Sequence, residues 1–175
     1  KIWNSFRLIK GWEVTDCDQP DCAEQAINWF DSRINKAICQ IDESFLKYRI
    51  SAALMTTYKL IWDDFCSFFL EIIKPDYGFP IDKKSYYKTI EYLEKILKLL
   101  HPFMPFLTEE LWHLIKQRDE DIIVSSWPEF TKINEKLLID FDNASEIVSS
   151  IRAIRKEQNI SNKDQLALEV IYNKS

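Results

Sequence analysis

The apolar residues of this chain recur every three or four positions over long stretches, which is the pattern of amphipathic helices. The pattern predicts a first helix over residues 1–9, a second from Ala23 to about Tyr48, a third from Ile50 to Ile73 and a fourth from Lys83 to Leu100. Asp21 is the predicted cap of the second helix, and Lys74-Pro75 ends the third. These segments together predict a helical bundle.

The chain turns between Leu100 and Thr108, where two prolines interrupt the helical pattern. Pro102 and Pro105 each lack an N–H and force the preceding residue toward extended backbone. Thr108 is therefore the predicted first residue of the next helix, which carries Leu111, Trp112, Leu114 and Ile115 on its apolar face and fades over residues 116–121.

Two more elements are predicted near the end of the chain. A last helix, capped by Asp142 or Asn143, carries Ile147, Val148, Ile151 and Ile154, and alternation over residues 166–173 predicts a strand. A strand needs a partner, so either residues 122–124 pair with it or the rest of its sheet lies outside the chain, and we favour the second alternative. The predicted organisation is a helical domain over residues 1–160 and the start of a truncated segment over residues 161–175.

Composition and charge exclude several classes of function. The 46% hydrophobic and 14% aromatic content excludes a disordered chain. The net charge of −5 argues against general nucleic-acid binding through a basic surface and leaves room only for a local basic patch. Neither G-x-x-x-x-G-K nor G-x-G-x-x-G occurs, so no phosphate-binding loop is predicted.

Cysteine and histidine spacing favours free thiols over a metal site. The four cysteines contain no C-x-x-C pair, and the two histidines, His101 and His113, lie far from them in the sequence. We therefore expect reduced cysteines in a cytoplasmic protein and no bound metal. No apolar run is long enough to span a bilayer, so no membrane partner is expected.

Five segments in order resemble motifs of the helical anticodon-binding domain of class I aminoacyl-tRNA synthetases. They are W-F-D-S-R-I-N at residues 29–35, I-W-D-D-F-C at 61–66, H-P-F-M-P-F-L-T-E-E-L-W at 101–112, S-S-W-P-E at 125–129 and I-R-A-I-R-K-E at 151–157. The segment at 61–66 is most similar to the valine enzyme, although Ser67, Phe68 and Phe69 stand where that family usually has Asp, Trp and Tyr.

The resemblance implies an all-α bundle of the class Ia synthetase type, with a short C-terminal strand from a truncated α+β subdomain. It also implies a tRNA anticodon-binding domain of a valine–tRNA ligase, which positions tRNA(Val) for aminoacylation by a catalytic domain that precedes Lys1. The family's H-I-G-H and K-M-S-K-S motifs do not occur, so no catalytic residue is expected in this chain. No cofactor is expected here either, since ATP and Mg²⁺ serve the full-length enzyme, for which we expect a monomer.

Cations on the first and last helices are the predicted tRNA-binding residues. They are Asn4, Arg7 and Lys10 on the first helix and Arg152, Arg155 and Lys156 on the last, with Trp3 or Trp12 as a stacking platform. Anticodon bases can stack on aromatic or guanidinium planes, while Arg and Lys hold phosphates. If the two helices lie side by side, their cations form one basic stripe on an acidic protein.

Each of these assignments has a competing interpretation. Trp3 and Trp62 fit the core better than an exposed platform, and Arg33 fits a structural ion pair. Arg152 and Arg155 fit a solvated helix face, or ion pairs with Glu146 and Glu157, better than direct reading of bases. At the level of function, the same domain of an isoleucine enzyme and a helical protein-interaction scaffold remain alternatives.

Overall fold

A computed structural model of the 175-residue chain describes residues 1–161 and 164–165. Contacts divide the chain into two compact units, Lys1–Leu138 and a second unit that begins at Ile139. The described residues are predominantly α-helical, and the all-α bundle predicted from the apolar periodicity is confirmed. Within the part of the chain that the structure describes, no helix is both long and apolar enough to cross a membrane.

The elements follow the predicted order closely. They are α1 (Ile2–Lys10), β1 (Val14–Thr15), α2 (Asp21–Leu46), α3 (Ile50–Lys59), a π-helix (Leu60–Phe69), α4 (Leu70–Ile73), β2 (Ile81–Asp82), α5 (Lys83–Leu100), α6 (Pro105–Ile115), a 3-10 turn (Ile122–Val124) and α7 (Glu135–Glu157). The four long helical spans predicted over the first hundred residues are therefore all present.

An aromatic cluster forms the centre of the first unit. The ring of Phe30 on α2 stacks on Phe69 at a centroid distance of 4.7 Å and lies 5.6 Å from Phe65 and 4.9 Å from Tyr92. All four side chains are fully buried. The Tyr92 hydroxyl donates to the carbonyl oxygen of Ile27 at 3.0 Å, so the one polar group in this aromatic cluster is satisfied.

The helix that carries two of these rings widens into π geometry between Leu60 and Phe69. Residues four apart lie on the same face of either an α-helix or a π-helix. Ile61, Phe65 and Phe69 consequently share one buried face. The ring of Phe30 on α2 therefore contacts both phenylalanine rings on this face.

The prolines turn the chain as predicted, but the helix after them begins earlier than Thr108. Helix α6 starts at Pro105, whose missing N–H costs nothing in the first turn. Thr108 is buried inside the helix, where its hydroxyl donates to the carbonyl oxygen of Met104 at 2.9 Å. The same hydroxyl lies 2.8 Å from Nδ1 of His101, and this hydrogen bond joins the end of α5 to α6 across the turn.

Two predicted helix caps are also wrong. The residue before α2 is Pro20 rather than Asp21, which is the first helical residue. Helix α7 begins at Glu135, seven or eight residues before the predicted caps Asp142 and Asn143. The side chain of Asn134 accepts from the N–H of Leu137 at 3.1 Å and starts this helix instead.

A small parallel sheet lies where the sequence predicts only loops. Val14 pairs with Ile81 and Thr15 with Asp82, joining the end of α1 to the start of α5. Asp82 then caps α5 by accepting from the N–H of Ser85 at 2.9 Å. The predicted strand over 166–173 lies outside the described residues, and residues 122–124 form a 3-10 turn rather than a strand.

Candidate nucleic-acid interface

A groove with an unusual number of exposed aromatic rings opens beside the end of α1. One wall carries Arg7, Leu8, Gly11, Trp12 and Glu13, and the other carries Lys74, Pro75, Asp76, Tyr77, Gly78 and Phe79. We call this the aromatic groove. It encloses about 480 Å³, room for a planar group of the size of a nucleobase.

The first wall is the last turn of α1 and the residues that follow it. Burial of Ile2, Phe6 and Ile9 fixes which face of α1 packs inward and leaves Arg7 exposed toward the groove. The N–H of Gly11 donates to the carbonyl oxygen of Arg7 at 3.1 Å, and a Cβ at this position would lie only 3.3 Å from that oxygen. Gly11 keeps right-handed helical backbone (φ −84°), so what it provides here is the absence of a Cβ beside that carbonyl oxygen.

The second wall is a tight turn over residues 76–79. The N–H of Phe79 donates to the carbonyl oxygen of Asp76 at 3.0 Å, and Gly78 has a φ of 82°. This geometry fits a type II turn, whose third residue must adopt positive φ and is therefore usually glycine. The turn leaves Tyr77 fully exposed and Phe79 69% exposed.

The small sheet holds the two walls at a fixed separation. The N–H of Ile81 donates to the carbonyl oxygen of Glu13 at 2.8 Å, and the pairing of Val14 with Ile81 continues the register. Ile81 and Asp82 are buried. The aromatic groove is consequently built on backbone hydrogen bonds and not on side-chain contacts alone.

Charges of both signs lie along the aromatic groove. Arg7 and Lys74 are the cations, and Nζ of Lys74 donates to Oε2 of Glu71 at 2.6 Å. Glu13 and Asp76 supply carboxylates that can accept hydrogen bonds from exocyclic amino groups. A guanidinium, free aromatic faces and hydrogen-bond acceptors in one groove are the groups that bind unstacked bases and their phosphates.

The structure separates the three residues predicted on α1. Arg7 lines the aromatic groove, and Asn4 is exposed on the same helix. Lys10 points elsewhere, because its Nζ donates to the carbonyl oxygen of Ile115 at the end of α6, at 3.4 Å. Of the two predicted platforms, Trp12 lines the groove. Trp3 lies 6.0 Å from Phe6 between ring centroids but is 39% exposed, so the prediction that it belongs to the core is wrong.

The predicted residues on α7 belong to the second unit. Arg152 and Lys156 are exposed there. The guanidinium of Arg155 donates to the carbonyl oxygens of Ser161 at 2.5 Å and Asp164 at 2.9 Å, which anchors the residues that follow the helix. That these cations share one surface with Arg7 stays a prediction.

Sequence reasoning missed the second wall of the groove, namely Lys74, Tyr77 and Phe79. A signal was nevertheless present in the composition. The chain has two glycines, Gly11 and Gly78, and both line the aromatic groove. In a helical protein so poor in glycine, the aromatic-glycine-aromatic sequence at 77–79 marks a turn that displays rings to solvent.

A second, more basic cavity between α2 and α3 is less available to a ligand. It encloses about 230 Å³ and contains Arg33, Lys36 and Lys59. Nε of Arg33 lies 3.6 Å from a carboxylate oxygen of Asp64, and Lys36 pairs with Glu135 at 2.9 Å. Arg33 thus forms the structural ion pair predicted for it, and two of the three cations are already neutralised.

Comparison with known proteins identifies related chains over the full length of this one. The family model described as the anticodon-binding domain of tRNA ligase matches residues 28–172. The chain is 49% identical over 178 residues to a valine–tRNA ligase of Christiangramia forsetii, covering 100% of this chain and 20% of that protein.

Similar matches occur in other bacteria. A valine–tRNA ligase of Parabacteroides distasonis is 47% identical over 98% of this chain, and one of Brucella suis is 33% identical over 91%. The match covers 20% and 19% of these two relatives. The chain therefore spans about a fifth of the length of the relatives it matches.

Proposed function

This chain belongs to the family of anticodon-binding domains of tRNA ligases, and from that membership we propose that it binds the anticodon region of tRNA(Val) as part of a valine–tRNA ligase. The observation that carries the proposal is the aromatic groove, which Tyr77 and Phe79 line together with Arg7. Tyr77 and Phe79 are exposed together beside a cation in one groove, and a contiguous aromatic surface of this kind supports a binding site.

The proposed mechanism is recognition of unstacked bases. Anticodon bases turn outward from their loop and stack on Tyr77, Phe79 or Trp12, each stacked base contributing about 1–3 kcal/mol. Arg7 holds a phosphate or stacks on a base, and Glu13 and Asp76 accept hydrogen bonds from base amino groups. In the second unit, Arg152 and Lys156 are proposed to contact phosphates of the same RNA.

The chemistry of aminoacylation is proposed to lie outside this chain. A ligase five times longer has room for a catalytic domain that uses ATP and Mg²⁺, and this chain would hold the tRNA so that its acceptor end reaches that domain. We also propose that the full-length protein is a cytoplasmic monomer.

Equilibrium binding of labelled tRNA transcripts tests the proposal. The chain should bind tRNA(Val) in a salt-sensitive manner and lose affinity for transcripts with an altered anticodon, including tRNA(Ile). Replacing Tyr77 and Phe79 together by Ala should abolish that discrimination, because the stacking rings are gone. Equal affinity for all transcripts, or discrimination that survives the double replacement, would contradict the proposal.

A matched control uses an exposed aromatic residue that lies outside the aromatic groove. Tyr87 on α5 is 64% exposed and is the control position. Tyr87→Ala should leave tRNA affinity unchanged. The comparison separates loss of groove aromatics from a general loss of exposed aromatic surface.

A further inference from the structure

Three side chains of the types that bind metal ions meet beside the end of α6. Glu109 and His113 lie one turn apart on α6, and Asp121 belongs to the segment that follows the helix. Nε2 of His113 lies 3.2 Å from Oε1 of Glu109 and 3.3 Å from Oδ1 of Asp121. We call these three residues the histidine–carboxylate cluster. None of them lines the aromatic groove.

The distances within the histidine–carboxylate cluster match the spacing of ligands around a small cation. Zinc binds imidazole nitrogen and carboxylate oxygen at about 2.0–2.2 Å, with its ligands in a tetrahedron. Two ligand atoms on such a tetrahedron lie about 3.3–3.6 Å apart. The two nitrogen–oxygen distances in the cluster are 3.2 and 3.3 Å, and all three ligand atoms lie within 4.8 Å of one another. Small side-chain rotations therefore suffice to place all three around one ion.

Hydrogen bonds to the backbone hold the cluster together. Oε1 of Glu109 accepts from the N–H of Ile122 at 2.9 Å, and Nε1 of Trp112 donates to the carbonyl oxygen of Glu120 at 3.2 Å. These two bonds fix the segment after the helix against α6 and so place Asp121 beside it. A carboxylate that binds a metal is usually held by a second hydrogen bond of this kind, which orients its oxygen toward the ion.

The histidine–carboxylate cluster contains two carboxylates and no permanent cation. Within the described residues, neither Glu109 nor Asp121 forms an ion pair with a lysine or an arginine, and each lies against His113. The nearby Arg118 pairs with Glu94 instead. An imidazole is charged only when protonated, whereas carboxylates this close repel one another unless a positive charge lies between them. A divalent ion would remove that repulsion while the imidazole is neutral.

We propose that the histidine–carboxylate cluster binds one zinc ion through Glu109, His113 and Asp121, with water as the fourth ligand. One imidazole with two carboxylates suits zinc better than magnesium or calcium, which prefer oxygen ligands alone. The side chains of Glu109 and Asp121 are 30% and 67% exposed, so an ion can enter from solvent. This proposal departs from the sequence-based expectation of no bound metal, which rested on the positions of the cysteines.

The ion would join two parts of the chain that backbone structure leaves separate. Residues 116–121 form neither helix nor strand, and they connect α6 to the 3-10 turn at Ile122–Val124. Glu109 and His113 are on the helix side of this connection, and Asp121 is at its far end. Zinc should therefore raise the melting temperature by several degrees when it saturates the site, because it binds only the folded chain.

Isothermal titration calorimetry of the chain with zinc chloride tests the site. We expect saturable binding of one ion per chain. His113→Gln and Glu109→Gln should each weaken it by about tenfold or more, because each removes a ligand. Glu110→Gln is the matched control, since it removes the same charge from the neighbouring exposed residue of α6, and it should leave the affinity unchanged. Wild-type affinity in His113→Gln, or an equal loss in Glu110→Gln, would overturn the proposal.

Free thiols are the competing zinc ligands in this chain. Cys17 and Cys22 are exposed, and thiolates bind zinc well. The double replacement Cys17→Ser and Cys22→Ser should retain the wild-type zinc affinity, because neither residue belongs to the histidine–carboxylate cluster. Loss of binding in this protein would assign the ion to the thiols and refute the site proposed on α6.

Nuclear magnetic resonance of the imidazole nitrogens locates the ion in the unaltered chain. The chain has two histidines, and His101 is the internal control because its Nδ1 lies 2.8 Å from the hydroxyl of Thr108. Zinc should shift the Nε2 signal of His113 and leave the signals of His101 in place. Shifts at both histidines, or at neither, would count against the proposed ligand set.

Zinc binding does not depend on the proposed function, and the two can fail separately. The Tyr77→Ala and Phe79→Ala protein should bind zinc with wild-type affinity, since the aromatic groove shares no residue with the histidine–carboxylate cluster. His113→Gln should in turn retain discrimination among tRNA anticodons. Loss of zinc binding in the groove variant would contradict the location of the ion, whereas loss of discrimination there is what the proposed function predicts.

Discussion

The aromatic cluster around Phe30 and the aromatic groove contain the same type of side chain in opposite surroundings. In the cluster, rings from α2, the π-helix and α5 are fully buried at centroid distances of 4.7–5.8 Å. In the aromatic groove, Tyr77 and Phe79 stand in solvent on a glycine turn. The spacing of residues along helices places the buried rings of the cluster. The turn conformation at Gly78 places Tyr77 and Phe79.

On the proposed function, this contrast means that one residue type serves stability in one place and binding in another. A buried ring contributes its full apolar area and its dispersion contacts to folding. An exposed ring contributes almost none of this until a ligand covers it. Substitutions in the aromatic cluster should therefore change the free energy of unfolding, and substitutions in the aromatic groove should change tRNA affinity. The predictions below run from the largest expected effect to the smallest.

The largest expected effect is on stability, from Phe30→Ala. Removing this ring leaves a cavity among Phe65, Phe69 and Tyr92 and should lower the free energy of unfolding by about 3–5 kcal/mol. Urea denaturation followed by circular dichroism measures it. Phe79→Ala is the control and should cost less than about 0.5 kcal/mol; similar losses in both proteins would remove the distinction between the two regions.

Binding should show the reverse pattern. Phe79→Ala should weaken tRNA(Val) binding by about 1–3 kcal/mol, or roughly 5- to 150-fold, if one base stacks on this ring. Fluorescence anisotropy with the isolated chain measures the affinity. Unchanged affinity beside a normal melting curve would place the bases elsewhere.

Tyr92→Phe sharpens the comparison inside the buried cluster. Burial raises the pKa of the Tyr92 hydroxyl, which therefore stays protonated and donates to the carbonyl oxygen of Ile27. Removing that hydroxyl keeps the ring and removes one hydrogen bond, while the Ile27 carbonyl keeps its acceptor role inside α2, so the free energy of unfolding should fall by about 0.5–1.5 kcal/mol. A neutral result in urea denaturation would show that this hydrogen bond contributes no net stability.

Gly78→Ala examines the turn rather than a ring. Its φ of 82° strains any L side chain, although no atom lies near enough to clash with the added methyl group. The replacement should cost about 1 kcal/mol of stability or shift the turn, and should weaken tRNA binding while all aromatic rings are retained. Wild-type affinity and stability together would contradict the type II turn.

The smallest expected effect is electrostatic and comes from Arg7→Gln. If Arg7 neutralises one phosphate of a single-stranded loop, the slope of log affinity against log salt should fall in magnitude by about 0.7. Affinities at four salt concentrations suffice. Lys59→Gln, outside the aromatic groove, should leave the slope unchanged.

The sequence predicted the helical spans well because apolar periodicity reflects burial directly. Helix starts were predicted less well. Helix α6 begins at Pro105 and the side chain of Asn134 caps α7, whereas the sequence pattern favoured Thr108 for the first and Asp142 or Asn143 for the second. Trp62 was expected in the core and is 39% exposed. Apolar composition alone cannot distinguish the two sides of a helix that is apolar on both.

The candidate site was predicted only in part, for a physical reason. Arg7 and Trp12 could be named from one segment, but their neighbours Tyr77 and Phe79 lie more than sixty residues later in the chain. Their proximity depends on the pairing of Val14 with Ile81, two residues in segments too short to show a strand pattern. Tertiary hydrogen bonds of this kind leave no local periodicity.

The small parallel sheet has a consequence for the thermodynamics of recognition. The hydrogen bond from the Ile81 N–H to the Glu13 carbonyl oxygen fixes both walls of the aromatic groove before any ligand binds. Binding therefore costs little conformational entropy in the protein. On the proposed function, most of the ordering entropy would then fall on the RNA, whose anticodon loop must unstack to bind. Nucleotide modifications that stiffen an already opened loop should accordingly tighten the complex, and those that reinforce stacking within the loop should loosen it.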